Sequence, residues 1–324
     1  MATVRLSDVV VPEVFTQYVS ENTAEKSLLV QSGLMTRNAR IEQQLRAGAD
    51  SFTVPAWLDL GNEEADIVND DPDIEAVPSK LGTASFRVRK AFLHKSWSAM
   101  NLASELAGAS ALDRIQSRVE AYWTRQLQRR LVASLVGIAA QNEADGGSDM
   151  LVEADTFGGV GVIDAAATLG DGLRDMVAIA MHSDVFAQAL KNDLIASVPD
   201  SQGRMIQTFR GLALIVDDGM PIFGSGADKE YLSVLFGPGA IAYGITEPRE
   251  AEGTEIESRP AAGNGGGQQI LHSRVNLAIA PNGYSFLDTN VAGVSPTIAE
   301  LADPANWARV SERKHIPLAF LRHG

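Results

Sequence analysis

Apolar residues recur every three or four positions at Leu112, Ile115, Val119, Trp123, Leu127, Leu131, Leu135 and Ile138. That spacing places all eight on one stripe and predicts a helix over about 111–140, roughly 45 Å long. Asp113 near its start suits the positive end of the helix. Globular helices average about 11–12 residues, so one this long with a single stripe reads as a flat support under a sheet. Two β-rich runs, 231–245 and 270–279, flank a polar span holding Gly263, Gly265, Gly266 and Gly267. Val275, Leu277 and Ile279 keep the two-residue period of a half-buried strand, and Pro281-Asn282-Gly283 supplies a turn.

Other stretches carry weaker patterns. Residues 51–54 and 84–93 are β-like; in the second, Phe86, Val88 and Lys90 alternate with Arg87, Arg89 and Ala91. The acidic, proline-marked segment between them predicts an extended hairpin, because so long a loop inside a domain is uncommon and usually functional or mobile. Residues 142–148 read as a boundary. Beyond it come helical candidates at 163–169 and 173–178, an apolar run at 177–181, a capped amphipathic helix at 183–194 and a buried strand at 212–216. Short helices near 298–301 and Trp307 precede an apolar run at 316–321 that returns to a core. Residues 1 to about 48 read as helical but sparsely hydrophobic, with Leu28, Leu29 and Leu34 as an apolar patch meant to lie against something else.

Composition changes the picture mainly through charge. The 324 residues hold 41 acidic against 27 basic side chains, a formal net charge of −14. Affinity for nucleic acid comes mostly from cations that neutralise phosphates, so direct binding is not expected; the charge serves solubility or keeps a surface from sticking to nucleic acid. The absence of cysteine removes disulfides, thiolate catalysis and cysteine-ligated zinc. No signal peptide and no run of about 20 apolar residues is evident, so no membrane partner is expected. Arg114, Arg118, Arg125, Arg129 and Arg130 occupy the other faces of the long helix. They form either a solvated basic face or a surface for acidic groups of a neighbouring chain.

Catalytic constellations are thin. The five histidines are scattered without metal-ligand spacing, and His182 reads as a cap on the turn before a helix. Gly159-Val160-Gly161 lacks the third glycine of a dinucleotide loop, the glycines at 263–267 lack the lysine of a phosphate loop, and Gly224-Ser225-Gly226 misses a nucleophile elbow. Ser225, His182 and Asp217 can be written as a hydrolase triad, but any large protein offers such triples. Asp217 and Asp218 end a strand in a turn, with cation binding as the alternative. No catalytic residue, metal or cofactor is expected.

The order of these parts resembles the major capsid proteins of tailed bacteriophages, with their α+β Hong Kong 97-type shell fold. The resemblance spans nearly the whole chain. Residues 91–138 look like the end of an extended loop entering the spine helix, and 179–195 like a Met-His-Ser strand-to-helix segment of the axial domain. Residues 214–221 resemble the strand and turn that follow; 231–244 and 270–287 resemble returning peripheral-domain strands. The implied organisation is an N-terminal arm at 1–48, an extended loop at 49–95 and a peripheral domain with the spine helix at 96–146. The axial domain follows at 147–230, peripheral strands at 231–292 and a C-terminal segment rejoining the axial domain at 293–324.

The resemblance also implies roles. Glu63, Glu64, Asp66, Asp70, Asp71, Asp73 and Glu75 would form a loop tip reaching over a neighbouring subunit, with the helix arginines as a counterpart. The arm would clasp an adjacent copy, and Gly265 and Gly266 would lie near local threefold contacts. Hexamers and pentamers would close into an icosahedral virion head around double-stranded DNA, without sequence-specific binding. A separate scaffolding protein, a portal and a decoration protein are the implied partners, with assembly in the bacterial host cytoplasm. An encapsulin-like nanocompartment is the alternative within the fold; an α/β hydrolase or oxidoreductase is the alternative outside it.

Overall fold

A computed structural model describes residues 28–32, 34–57, 60, 64–65, 67–68, 70, 75, 78–146, 148–199, 205–226 and 228–324. Its first elements are anchored to the body of this same chain. One helical turn, α1 (Leu28–Gln31), leads to strand β1 (Met35–Arg37) and helix α2 (Ala39–Arg46). Asn38 caps α2 by accepting from the Arg40 amide at 2.9 Å, the role a short polar side chain fills at a helix start. Ile41 and Leu45, one turn apart, bury the inner face of α2, which lies so close that a Cβ on Gly244 would sit 2.7 Å from Ile41. Leu29 is fully buried in the main core, and its amide donates to Asp217 Oδ2 at 3.3 Å. Of the arm expected at 1–48, residues 1–27 lie outside the described residues, and the remainder packs on its own subunit.

The expected hairpin is present. β2 (Ser51–Trp57) pairs antiparallel with β3 (Thr83–Arg89), from Ser51 opposite Arg89 to Trp57 opposite Thr83. The run expected at 84–93 divides at Lys90, after which β4 (Ala91–Met100) joins a different sheet. Lys90 is fully buried; its amide donates to Asp50 O at 2.9 Å and its Nζ to Ala47 O at 2.8 Å. Arg89 donates to Asp50, to Asp288 and to Val294 O, and Arg87 pairs with Asp288 at 2.5 Å. The hairpin base is thus fastened to residues far away in sequence.

After the short helix α3 (Asn101–Ala107), Gly108 turns the chain at φ 66°, a conformation that costs glycine little. Ser110 then caps α4 (Ala111–Ala144), whose 34 residues extend about 51 Å. The single-stripe expectation holds only for its first half. From Gln128 onward the helix is buried on most sides, Ala133, Ser134, Gly137 and Asn142 included, because the C-terminal region wraps it.

An eight-stranded sheet receives the next part of the chain. Its strands are β5 (Leu151–Ala154), β6 (Ala178–Met181), β7 (Ala196–Pro199), β8 (Met205–Phe209), β9 (Leu212–Val216), β10 (Ile222–Phe223), β11 (Glu230–Phe236) and, at the C-terminus, β17 (Leu318–His323). The order is β5-β17-β11-β6-β9-β8-β7, with β10 on β11. Alternate residues of its central strands feed two cores. Ala178, Ala180, Leu232, Val234, Phe236 and Phe320 join the core around α4. Ile179, Met181, Leu235, Ala319 and Leu321 join a second core under α5 (Gly159–Ala167) and α6 (Ser183–Lys191). A strand buried on both faces shows no alternation in sequence. The helix expected at 173–178 is instead a 3-10 turn at Gly170–Asp175 followed by β6. The 212–216 strand is present but lies toward an edge, with only Ile215 buried.

The chain then crosses into a five-stranded sheet of β1, β4, β12 (Ile241–Thr246), β13 (Thr254–Arg259) and β14 (Gln268–Pro281). β11 stays in the larger sheet, although 231–292 was expected to form one peripheral unit; the crossing falls at 237–240. β14 pairs with β4, β12 and β13 at once. After β15 (Tyr284–Phe286) come α7 (Ile298–Ala302) and β16 (Trp307–Arg309), and β15 pairs with β16. α7 starts with a capping box between Thr297 and Glu300. Trp307 Nε1 donates to Leu301 O at 2.8 Å, against the helix backbone at Gly137. β17 joins the larger sheet between β5 and β11. Just before β5, Asp149 accepts two bonds from Arg309 of β16 at 2.7–2.8 Å and one from Asn142 of α4 at 2.8 Å. Burial alone would raise the Asp149 carboxyl, but those bonds hold it below the usual range.

Candidate assembly surfaces

Near its base the hairpin packs through Phe52 and Val88 on Ile41 and Leu45, while its far described ends at Trp57 and Thr83 are exposed. Glu64, Asp70 and Glu75 are exposed, whereas Glu63, Asp66, Asp71 and Asp73 lie outside the described residues. Among the acidic positions stand apolar side chains: Trp57 is 74% exposed, Ile67 88% and Val68 93%. Isolated exposed apolar residues are ordinary, but three on one projecting element, within an acidic run, form a surface suited to a partner. The expectation for this loop rested on its carboxylates and overlooked these residues. The dipeptide Ile67-Val68 inside an otherwise polar stretch was the available signal.

On α4, successive residues turn by about 100°, so Arg114, Arg118, Arg125 and Arg129 fall within an arc of roughly 60°. Arg129 is exposed and the other three are half-buried. Arg130 does not belong with them. It points roughly 100° away from Arg129 and within about 20° of Trp123, on the apolar stripe. It is only 6% exposed, and burial pushes its guanidinium pKa down. The expected five-arginine face is therefore a four-arginine face, and the helical wheel already held the reason.

The glycine-rich turn joins β13 to β14. Its backbone needs glycine at two close approaches: a Cβ on Gly263 would lie 2.6 Å from Met100 Cε, and one on Gly267 2.5 Å from Asn101 Nδ2. Gly265, at φ 92°, has open space around it, and Gly266 is exposed beside it. Of the two glycines expected at a contact, neither packs within its own subunit against a side chain.

The residues that could be written as a catalytic or cation site have other occupations. His182 Nδ1 accepts from the Asp184 amide at 3.1 Å and caps α6. Asp217 is buried and accepts from Leu29 N, Gln128 Nε2 and Gly219 N, tying α1, α4 and the turn after β9 together. Ser225 is exposed on the loop after β10. Gly159 and Gly161 lie in the first turn of α5, where Arg210 covers Gly159. Among the described residues no group of three His, Asp or Glu could hold a metal, and no helix is long and apolar enough to cross a membrane. Two other histidines matter physically. His94 and His272 stack across strands with ring nitrogens 3.1 Å apart. His323 is buried against Ser233 Oγ at 2.9 Å, and burial pushes its pKa down to about 4.

Known proteins bear on this arrangement. The sequence model of the Gp13-like family, described as major capsid protein 13-like, matches residues 75–317. The major capsid protein of Bacillus phage SPP1 is 34% identical over 334 residues, covering 100% of this chain and 99% of that relative. Among solved structures, the capsid asymmetric unit of cyanophage Pam1 aligns with a TM-score of 0.61 at 10% identity, over 97% of this chain and 96% of that one. The capsid of a native GTA particle gives 0.57 at 11% identity, over 97% and 95%. At identities of 10–11% the structural likenesses speak for the fold alone, an α+β capsid fold.

Proposed function

We propose a role for each limb from one premise: this chain belongs to the Gp13-like family of major capsid proteins. It is a structural protein with the Hong Kong 97-type fold, and it forms the capsid of a tailed-phage virion. The matched family and the 34% relative are capsid proteins, which favours a phage head over a nanocompartment or a hydrolase. How the copies meet is our reading. Hexamers and pentamers close into an icosahedral shell around double-stranded DNA, each hairpin lying over an adjacent subunit. Its carboxylates at Glu63, Glu64, Asp66, Asp70, Asp71, Asp73 and Glu75 face Arg114, Arg118, Arg125 and Arg129 of that neighbour, and Trp57, Ile67 and Val68 supply apolar contact.

The observation that carries this reading is the hairpin itself: a clamped base with an uncovered, apolar and acidic far end. Such a limb gains order only by finding a partner, and many modest contacts per subunit make a stable shell through multivalency. Residues 1–27 extend the contact as an arm, the turn at Gly265 and Gly266 meets its counterparts at local threefold positions, and a separate scaffolding protein, portal and decoration protein complete the particle in the bacterial cytoplasm.

The test is electron microscopy of particles from expressed protein. Reversing the face with Arg125→Glu and Arg129→Glu is expected to abolish closed shells while circular dichroism stays native. Adding Glu64→Arg and Glu75→Arg should restore part of the yield. Unimpaired shells in the first variant would refute the pairing.

A further inference from the structure

The dipeptide Asn-Gly occurs twice in this chain, at Asn264-Gly265 and at Asn282-Gly283. It is a reactive pair, because glycine has no Cβ to hold its amide nitrogen away from the preceding side chain. That nitrogen can attack the asparagine carboxamide and close a cyclic imide. Both dipeptides lie in turns at an end of β14, yet their surroundings are opposite.

Asn264 and Gly265 are both exposed, and nothing lies within 4 Å of where a Gly265 Cβ would stand. The turn is closed by Gly266 N donating to Gly263 O at 3.2 Å and Gly267 N to Ala262 O at 2.9 Å. The Gly265 amide makes no such bond among the described residues. Asn282 is exposed too, but its own amide donates to Ala240 O at 2.9 Å. Gly283 is buried, its carbonyl accepts from Val310 and Ser311 at 2.8 and 3.3 Å, and a Cβ there would lie 2.5 Å from Ile316 Cγ1. Closing the ring requires the backbone to rotate until the glycine nitrogen reaches Cγ. The second turn can do so only by giving up these bonds and leaving Ile316.

We propose that Asn264 is a site of spontaneous deamidation, and that Asn282 is spared. The Gly265 nitrogen loses its proton and bonds to Asn264 Cγ; the Cγ–Nδ2 bond breaks, and ammonia leaves with a proton. Water, the one co-reactant, then adds to either imide carbonyl. One opening leaves aspartate, and the other leaves isoaspartate, with the main chain routed through the side-chain carbon. Each adds a carboxylate to a subunit already at −14. A consequence rests on the reading that Gly265 and Gly266 meet their counterparts at local threefold positions: three new carboxylates would converge there and repel. The turn would then distinguish fresh subunits from aged ones before a shell closes, and the closed shell would shield it.

The test incubates full-length free subunits and closed particles in mildly alkaline buffer and follows both asparagines by peptide mass spectrometry. Chain unfolded in urea is the reference, where the two dipeptides should convert at comparable rates. In folded free subunits Asn264 is expected to convert at least about tenfold faster than Asn282, because only the second must first open locally. Equal rates in folded subunits would overturn the proposal, as would an Asn264 that stays an amide while the unfolded reference converts. In closed particles the rate at Asn264 should fall several-fold. If free subunits convert as expected and particles convert just as fast, the modification stands and the threefold placement of the turn falls.

Discussion

His323 shows what one enclosed side chain imposes. Its ring lies between Tyr231 and Phe157, its Nε2 meets Ser233 Oγ, and its pKa falls from 6.5 to about 4 because burial disfavours the charged form. The unfolded chain therefore takes up a proton between pH 6.5 and 4 that the folded chain refuses. Stability is complete above pH 6.5 and declines as pH falls toward 4, by at most about 3 kcal/mol from this group. Urea unfolding from pH 7.5 to 4.5 should show that decline, and His323→Gln should flatten it by a comparable amount. An identical slope in the variant would place the acid sensitivity elsewhere. Single residues were unevenly legible in the sequence. His182 was readable as a cap because capping depends on immediate neighbours. The fate of Arg130 required its azimuth on the helix, and the isolation of His323 required β11 and the loop before α5, both distant in sequence.

At the scale of elements, the long helix was the clearest signal, since eight apolar residues over seven turns leave little ambiguity. Its enveloped second half was not legible, because the residues that wrap it arrive some 160 positions later. Gly137 marks that contact. A Cβ there would stand 2.3 Å from Leu301 O and 2.6 Å from Trp307 Nε1, and one of these neighbours is backbone that cannot swing aside. Gly137→Ala is expected to destabilise the subunit by about 1–3 kcal/mol despite alanine's better helix propensity, measurable as a lowered urea midpoint with unchanged slope. A neutral or stabilising result would mean that α7 yields more easily than its contacts suggest. The sheet that β11 joins was not legible for a related reason: its residues are buried on both faces, so pattern alone could not say which partners cover them.

As a whole molecule, the chain carries a net charge of −14 and should remain indifferent to a polyanion beside it. Purified subunits are expected to leave double-stranded DNA unshifted on a native gel at about 0.15 M salt; retardation there would point to a basic inner surface instead. The family was legible from the order of parts, whereas the attachment of residues 28–46 to their own body was not, because a sparse apolar pattern does not say whose surface it covers. The clamp at the hairpin base has a geometric consequence. Strands of seven residues are about 23 Å long, so a tilt of about 10° at Arg87, Arg89 and Lys90 swings Trp57 and Thr83 by roughly 4 Å. The limb is a lever, and a small change at its fulcrum is magnified several-fold at its far end.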